Sequence, residues 1–321
     1  MNDEIRPKSV SELLAGSPSN WGKWGPDDEV GALNYLTASV ILSSLSSVRQ
    51  GKVFTLQMPM ADPKGDPVFP GRVGAQRFMV LDKGDYLAGR GPWFPGDMEY
   101  ADDAMFCYLQ GSTQYDAPGH AWYDDKIWNG YDAMTTIGGL KKASVMPTAE
   151  RGVVGRGVLL DIARFRGRER LEPGELIDLG DLLACAASQK CEIRKSDIIL
   201  LHTGWLGRYL EIGQATFFAD LREPGLRYSP ELVNWFNEME IPNLISDTFA
   251  NESNADPDTG FVMTLHGALM RNLGISMTEM ASLDELAADC AKDGQYDFLY
   301  VAAPLKVIEG AGAPVNPVAI K

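Results

Sequence analysis

Three histidines occur in 321 residues, His120, His202 and His266, so each can be weighed alone. His120 closes the stretch Gln110-Gly-Ser-Thr-Gln-Tyr-Asp-Ala-Pro-Gly-His120, where amide, hydroxyl, carboxylate and imidazole groups crowd beside Gly111, Pro118 and Gly119. Side chains two apart share a face in extended chain. Gln110, Gln114 and Asp116 are therefore spaced to point into one cavity. A carboxylate and an imidazole so close together are the groups of general acid–base chemistry. Composition alone equally permits a polar turn with His120 hydrogen-bonded at the surface.

His266 heads an amphipathic stretch, His266-Gly-Ala-Leu-Met-Arg-Asn-Leu-Gly, and Glu279 follows a strand-like segment. Taken alone, the first also reads as a helix-start histidine and the second as a surface carboxylate. His202 ends the apolar run Ile198–Leu201 and reads as a satisfied core histidine. Asp247, Asn251 and Glu252 follow a strand, and strand ends face clefts in α/β folds. Asp247 is a candidate organiser of the pocket. Trp21, Trp24, Phe69, Trp93, Phe94 and Trp122 are candidate apolar walls, with core capping the alternative role for the two early tryptophans.

The elements that must position these groups follow from periodicity and punctuation. Thr37 is placed to cap a helix over 38–48. Val53–Met58 alternates as a strand does. Residues 61–77 and 88–98 are rich in Gly and Pro and read as loops. Strands are expected at 78–81, 104–109, 157–162, 197–204, 243–247, 275–277, 298–302 and 305–308. Helices are expected at 178–189, 230–239, 266–273 and 283–293. Strand and helix alternate in the second half, the pattern of a mixed α/β domain. With no repeat and no linker, a single domain over 1–321 is expected, residues 1–36 forming an N-terminal arm.

Bulk properties narrow the partners. The chain carries 29 basic and 44 acidic residues, a formal net charge of −15. A nucleic-acid backbone or an anionic membrane surface would be repelled, so neither is expected as a partner. The four cysteines, Cys107, Cys185, Cys191 and Cys290, form no CxxC pair and read as free thiols in a reducing compartment. The start lacks a basic stretch followed by an apolar run, and no apolar run approaches a membrane span. A cytoplasmic location is expected.

The stretch 110–120 resembles the cyclase-family signature His-x-Gly-Thr-His-x-Asp-x-Pro-x-His. Thr113, Asp116, Pro118 and His120 match; Gln110 and Gln114 replace two histidines and Ser112 replaces a glycine. Ala121-Trp-Tyr-Asp-Asp-Lys-Ile-Trp-Asn-Gly-Tyr131 is similar to a block of a longer-chain branch of that family, in which a glutamine is common at the position of Gln114. Further blocks resemble the family in the right order: 24–34, 157–161, 201–205, 246–252, 266–279 and 303–307.

The resemblance implies a cyclase-type α/β fold, a mixed sheet or small barrel flanked by helices, as in kynurenine formamidase-like and isatin hydrolase-like metal hydrolases. It implies a homodimer or homotetramer, with the arm contributing to neighbouring subunits. Carried over position by position, a metal cradle falls on Gln110, Gln114, Asp116, His266 and Glu279, and proton transfer on His120. The implied catalytic set is His120, Asp116 and Glu279; substrate binding falls to Gln110, Gln114, Thr113 and Trp122. Neutral amide oxygens are weaker ligands than imidazole nitrogen. The substitutions therefore favour a metal-free site, and among cations they favour manganese or magnesium over zinc. The implied reaction is hydrolysis of a C–N amide bond in a cyclic amide or aryl formamide, with lactone hydrolysis a close variant. A metal-free lyase, dehydratase or cyclase using the same Asp/His/Glu pocket is the alternative.

Overall fold

The computed structural model describes residues 7–219 and 222–321. Its strands, in chain order, are β1 Val53–Thr55, β2 Gln76–Leu81, β3 Asp102–Phe106, β4 Gln114–Asp116, β5 Val153–Asp161, β6 Leu176–Ile177, β7 Ile198–His202, β8 Gly225–Leu226, β9 Asn243–Ser246, β10 Ser276–Glu279, β11 Asp297–Ala302, β12 Gly312–Pro314 and β13 Val318–Ile320. Nine of them form one mixed sheet in the order β1-β13-β11-β5-β7-β9-β10-β4-β12. The centre, β5-β7-β9-β10, is parallel, and the flanks are antiparallel. Every residue of β7 and β9 is buried, as expected for strands covered on both faces.

The chain's connectivity forces this sheet to curl. β12 and β13 lie ninth and second in the order, yet only residues 315–317 join them. In a flat sheet seven spacings would separate them by about 33 Å. The four steps from Pro314 to Val318 reach at most about 14 Å. The sheet therefore rolls into a half-barrel, and the open seam is stitched by backbone bonds. Ser282 N donates to Leu56 O (2.7 Å) beside the bridge between Gln57 and Ala281, while the bonds from Leu56 N to Pro317 O (2.8 Å) and from Val315 N to Thr113 O (3.1 Å) extend the β1–β13 and β12–β4 ladders.

Local signals account for most helices. The Thr37 hydroxyl caps Ala38–Ser44, which ends four residues earlier than the spacing predicts and continues as a 3₁₀ turn over Leu45–Ser47. Asp178 and Asp181 form a reciprocal capping box at the start of Leu179–Ser188. Ser229 caps Pro230–Glu238, with proline at the first helical position, where its missing N–H costs nothing. The 266–273 stretch is helical but wound as a π-helix over His266–Asn272, buried throughout.

Two expectations are corrected. Residues 305–308 are not a strand; the late strands are β12 and β13, too short to show an alternation. Trp205–Phe217 is a helix that the sequence reading passed over; Gly213 breaks its periodicity with φ 71°. Residues 20–31 pack against the body of their own chain. Asn20 N donates to Asn272 O (2.8 Å), Trp21 Nε1 to Arg271 O (2.7 Å), and the Arg271 guanidinium is sandwiched between Trp21 and Tyr123. Gly31 and Gly274 meet backbone to backbone, so a Cβ on Gly274 would sit 2.8 Å from Gly31 Cα and 2.7 Å from the Trp128 ring.

One buried cluster of charges is paired. Arg156 on β5 donates to Asp197 (2.6 Å) and Asp297 (3.1 Å), all three nearly inaccessible. All four cysteines are free thiols. Among the described residues no helix is long and apolar enough to cross a membrane.

Candidate active site

The site is built on the pairing of β4 with β10. In β4, Gln114 and Asp116 share a face while Tyr115 points into the opposite core, where it is wholly buried. β10 runs antiparallel beside it and sets Glu279 directly across from Gln114. That register makes the two a cross-strand pair. Gln114 Nε2 donates to Glu279 Oε2 at 2.7 Å. A carboxylate accepts only, so this contact fixes the amide's orientation and leaves the Gln114 carbonyl oxygen for a ligand.

His266 comes from the π-helix that precedes β10. Its ring is held by Glu252: Nδ1 lies 2.6 Å from Glu252 Oε1. The same carboxylate accepts the backbone N–H groups of His266 (2.9 Å) and Leu265 (2.7 Å). With Nδ1 committed, Nε2 faces Glu279 Oε1 at 3.4 Å, outside hydrogen-bonding geometry. Ligand atoms of Asp116, His266 and Glu279 all lie within 4.8 Å of one another, and all three residues are buried.

This cluster is short of hydrogen. Neither oxygen of the Asp116 carboxylate has a partner, nor has Glu279 Oε1, nor the Gln110 amide nitrogen. Unpaired buried carboxylate oxygens are costly and point to a missing partner. Gly312 on β12, opposite Asp116, keeps the space open. A Cβ there would lie 2.7 Å from Gln110 Nε2 and 3.2 Å from Asp116 Oδ1. Two buried carboxylates around one imidazole nitrogen, with amides beside them, are an oxygen-rich donor set that fits a hard divalent cation. Glu252 on Nδ1 is the outer support that metal-ligating histidines carry.

Charge in the cluster shifts its titration. Burial, then the neighbouring Asp116 carboxylate, raises Glu279 to about 7. Burial also pushes His120 below its usual value, against the pull of Asp116, which favours the neutral imidazole. Burial opposes the charge on His266, but the hydrogen bond of Glu252 and the nearby Glu279 carboxylate raise it well above the usual range.

A cavity of about 600 Å³ opens onto this cluster and is lined by Gln114, His120, His266 and Glu279. Phe69 and Phe249, edge to face at 6.1 Å, form an apolar wall. Arg72 also lines it, from the loop over 61–75 that sequence reading left featureless. That loop is ordered by buried Asp66, whose carboxylate accepts the backbone N–H groups of Ala61 (3.0 Å), Asp62 (2.9 Å) and Ala75 (2.8 Å).

Other expected site residues fall elsewhere. The Thr113 hydroxyl is fully committed, donating to Met280 O (2.6 Å) and accepting from Met58 N (3.0 Å). It ties the barrel seam and does not face the cavity. Trp122 lines an adjoining cavity of about 350 Å³ that shares His120, Val262 and Met263 with the main one. Gln110, in the turn before β4, brings its amide nitrogen to the same space beside Gly312 as Asp116 and is not on the main cavity wall. Asp247 organises the turn after β7, accepting from Thr203 N (3.0 Å), Thr203 Oγ1 (2.7 Å) and Gly204 N (2.7 Å). His202 is the satisfied core histidine expected, between Asp161 (2.9 Å) and Asp284 (3.0 Å). Trp21 and Trp24 pack around Trp128, and Trp93 is exposed. Sequence reasoning missed Arg72 and the role of Glu252. The latter's signal was an acid after a strand; its partner fourteen residues on was set by the fold.

The sequence profile of the cyclase family matches residues 52–253. The crystal structure of a novel cyclase aligns over 95% of this chain and 100% of its own, with 34% identity and a TM-score of 0.86. Isatin hydrolase A from Ralstonia solanacearum aligns over 84% of this chain and 91% of its own, at 19% identity and a TM-score of 0.57. An isatin hydrolase bound to the product analogue thioisatinate aligns over 88% and 98%, at 18% identity and a TM-score of 0.57. At those identities the isatin hydrolases share the fold. No curated protein matches the chain in sequence.

Proposed function

Because this chain belongs to the cyclase family, we propose that it hydrolyses a carbon–nitrogen amide bond in a cyclic amide or aryl formamide. The observation that carries the reading is the buried Asp116 carboxylate, unpaired at both oxygens, beside Glu279 and the Nε2 of His266 at the floor of the cavity. Asp116, Glu279 and His266 would hold a divalent cation, with Gln114 and Gln110 as weaker amide ligands. When bound, that cation supplies Lewis acidity toward water and the scissile carbonyl. Manganese or magnesium suits the set better than zinc.

The chain's own groups do the rest. Neutral His120 takes a proton from the attacking water and returns it to the leaving nitrogen, so one side chain closes the proton balance. Glu279 holds the Gln114 amide, whose second N–H is free to meet charge developing on the carbonyl oxygen. Phe69 and Phe249 give the planar aromatic part of such a substrate an apolar wall and limit water. Kynurenine formamidase-like and isatin hydrolase-like chemistry both fall within this class. The two glutamines favour one rival, a metal-free lyase or cyclase in which Glu279 serves as the base.

The test is turnover of formanilide and isatin by protein purified without chelator, with metal content measured and ¹⁸O-water as solvent. Label in the product acid, and loss of activity on chelation that manganese restores, are expected. Turnover without label would favour the rival. Unchanged activity in His120→Ala would sink the proton-transfer role.

A further inference from the structure

Arg72 is a cation on the cavity wall. One nitrogen, Nη1, donates to the backbone oxygen of Gln110 at 2.5 Å. Its guanidinium lies 5.8 Å from the Phe69 ring centroid. No carboxylate pairs with it among the described residues, although the cavity it lines also contains Glu279. Guanidinium offers five N–H donors in a flat fork, so Nε and Nη2 remain. The residue is not held loosely. Asp66 gathers three backbone N–H groups of its loop, and Tyr209 donates to Gly65 O at 2.8 Å, which pins the loop from the side of the Trp205–Phe217 helix.

We propose that Arg72 is a specificity residue that takes a carboxylate on the substrate, so that the enzyme prefers aryl amides bearing an acid group. The argument rests on the proposed amide-hydrolase reading for the location of the substrate. A half-buried guanidinium with a free edge matches a carboxylate with two parallel N–H···O bonds. The Phe69 ring beside Arg72 would hold the aromatic body, and one guanidinium fork matches one carboxylate. Fixing the loop through Asp66 removes the ordering cost that a free arginine would meet on binding.

Binding of benzoate and of benzamide, followed by calorimetry on chelator-dialysed protein, tests this without turnover and without a cation that could hold the acid. Wild type is expected to bind benzoate roughly 30-fold more tightly than benzamide, the scale of charge-assisted hydrogen bonds. Arg72→Gln should bring the two within about threefold. Arg72→Lys should fall between, keeping charge and losing the fork. No preference in wild type, or a preference that survives in Arg72→Gln, overturns the proposal. If Arg72→Gln does not fold, an undiminished preference in Arg72→Lys overturns it and a reduced one supports it. A benzoate preference without amide turnover would sink the hydrolase reading alone; turnover without the preference would sink the role of Arg72 alone.

Discussion

Replacing Glu252 by glutamine should damage stability and cation binding together. Its carboxylate is almost inaccessible and accepts three N–H donors: Leu265 N at Oε2, and His266 N and Nδ1 at Oε1. Glutamine keeps the shape but only one acceptor oxygen. If that oxygen faces His266, the new NH₂ abuts the N–H of Leu265; if it faces Leu265, both His266 donors lose their partner. Each unpaired buried donor costs about 1–3 kcal/mol. The expected loss of unfolding free energy is about 2–4 kcal/mol. His266 also loses the negative support that sets its tautomer, which for an outer-shell partner weakens metal binding about 10–100-fold. Urea unfolding followed by tryptophan fluorescence reads the first effect, and manganese titration followed by electron paramagnetic resonance reads the second. An unfolding free energy within about 0.5 kcal/mol of wild type would refute the reasoning, because the three donors cannot all be satisfied by an amide.

Three further outcomes follow from buried groups. Burial opposes the charge on His202, but the hydrogen bonds of Asp161 and Asp284 raise it to about 10 from 6.5. Its contribution is complete below pH 6.5 and disappears as pH rises through about 10; the stability gap between wild type and His202→Gln should therefore narrow over that window in urea titrations. Arg156→Met leaves Asp197 buried without its cation and Asp297 with Arg49 alone, and should cost about 3–5 kcal/mol in the same assay. Gly274→Ala puts a Cβ against Gly31 and Trp128 at φ +71°. It should unseat residues 20–36, seen as new protease cleavage there before the core unfolds.

Much of this protein is legible along the chain. Asp178, Ser229 and Thr37 start their helices by side-chain capping, a three-residue interaction that sequence displays directly. β5, β7 and β9 are apolar runs because a parallel sheet buries both faces. The motif from Gln110 to His120 marks the family and the floor of the site, since β4 itself carries Gln114 and Asp116 at the two-residue spacing. Tertiary structure decided the rest. Glu279 meets Gln114 only through the β4–β10 register, and Glu252 meets His266 only because β9 and the π-helix converge. The curl of the sheet follows from three residues joining opposite edges, a constraint no local pattern carries. Arg72 gives no signal in a Gly/Pro-rich loop; Asp66 makes it a fixed charge by collecting backbone donors that are scattered in sequence and adjacent in space. Sequence shows which groups are available and where local hydrogen bonding begins an element. Distance between groups far apart in the chain comes from strand pairing and packing, and on those distances the chemistry of this site depends.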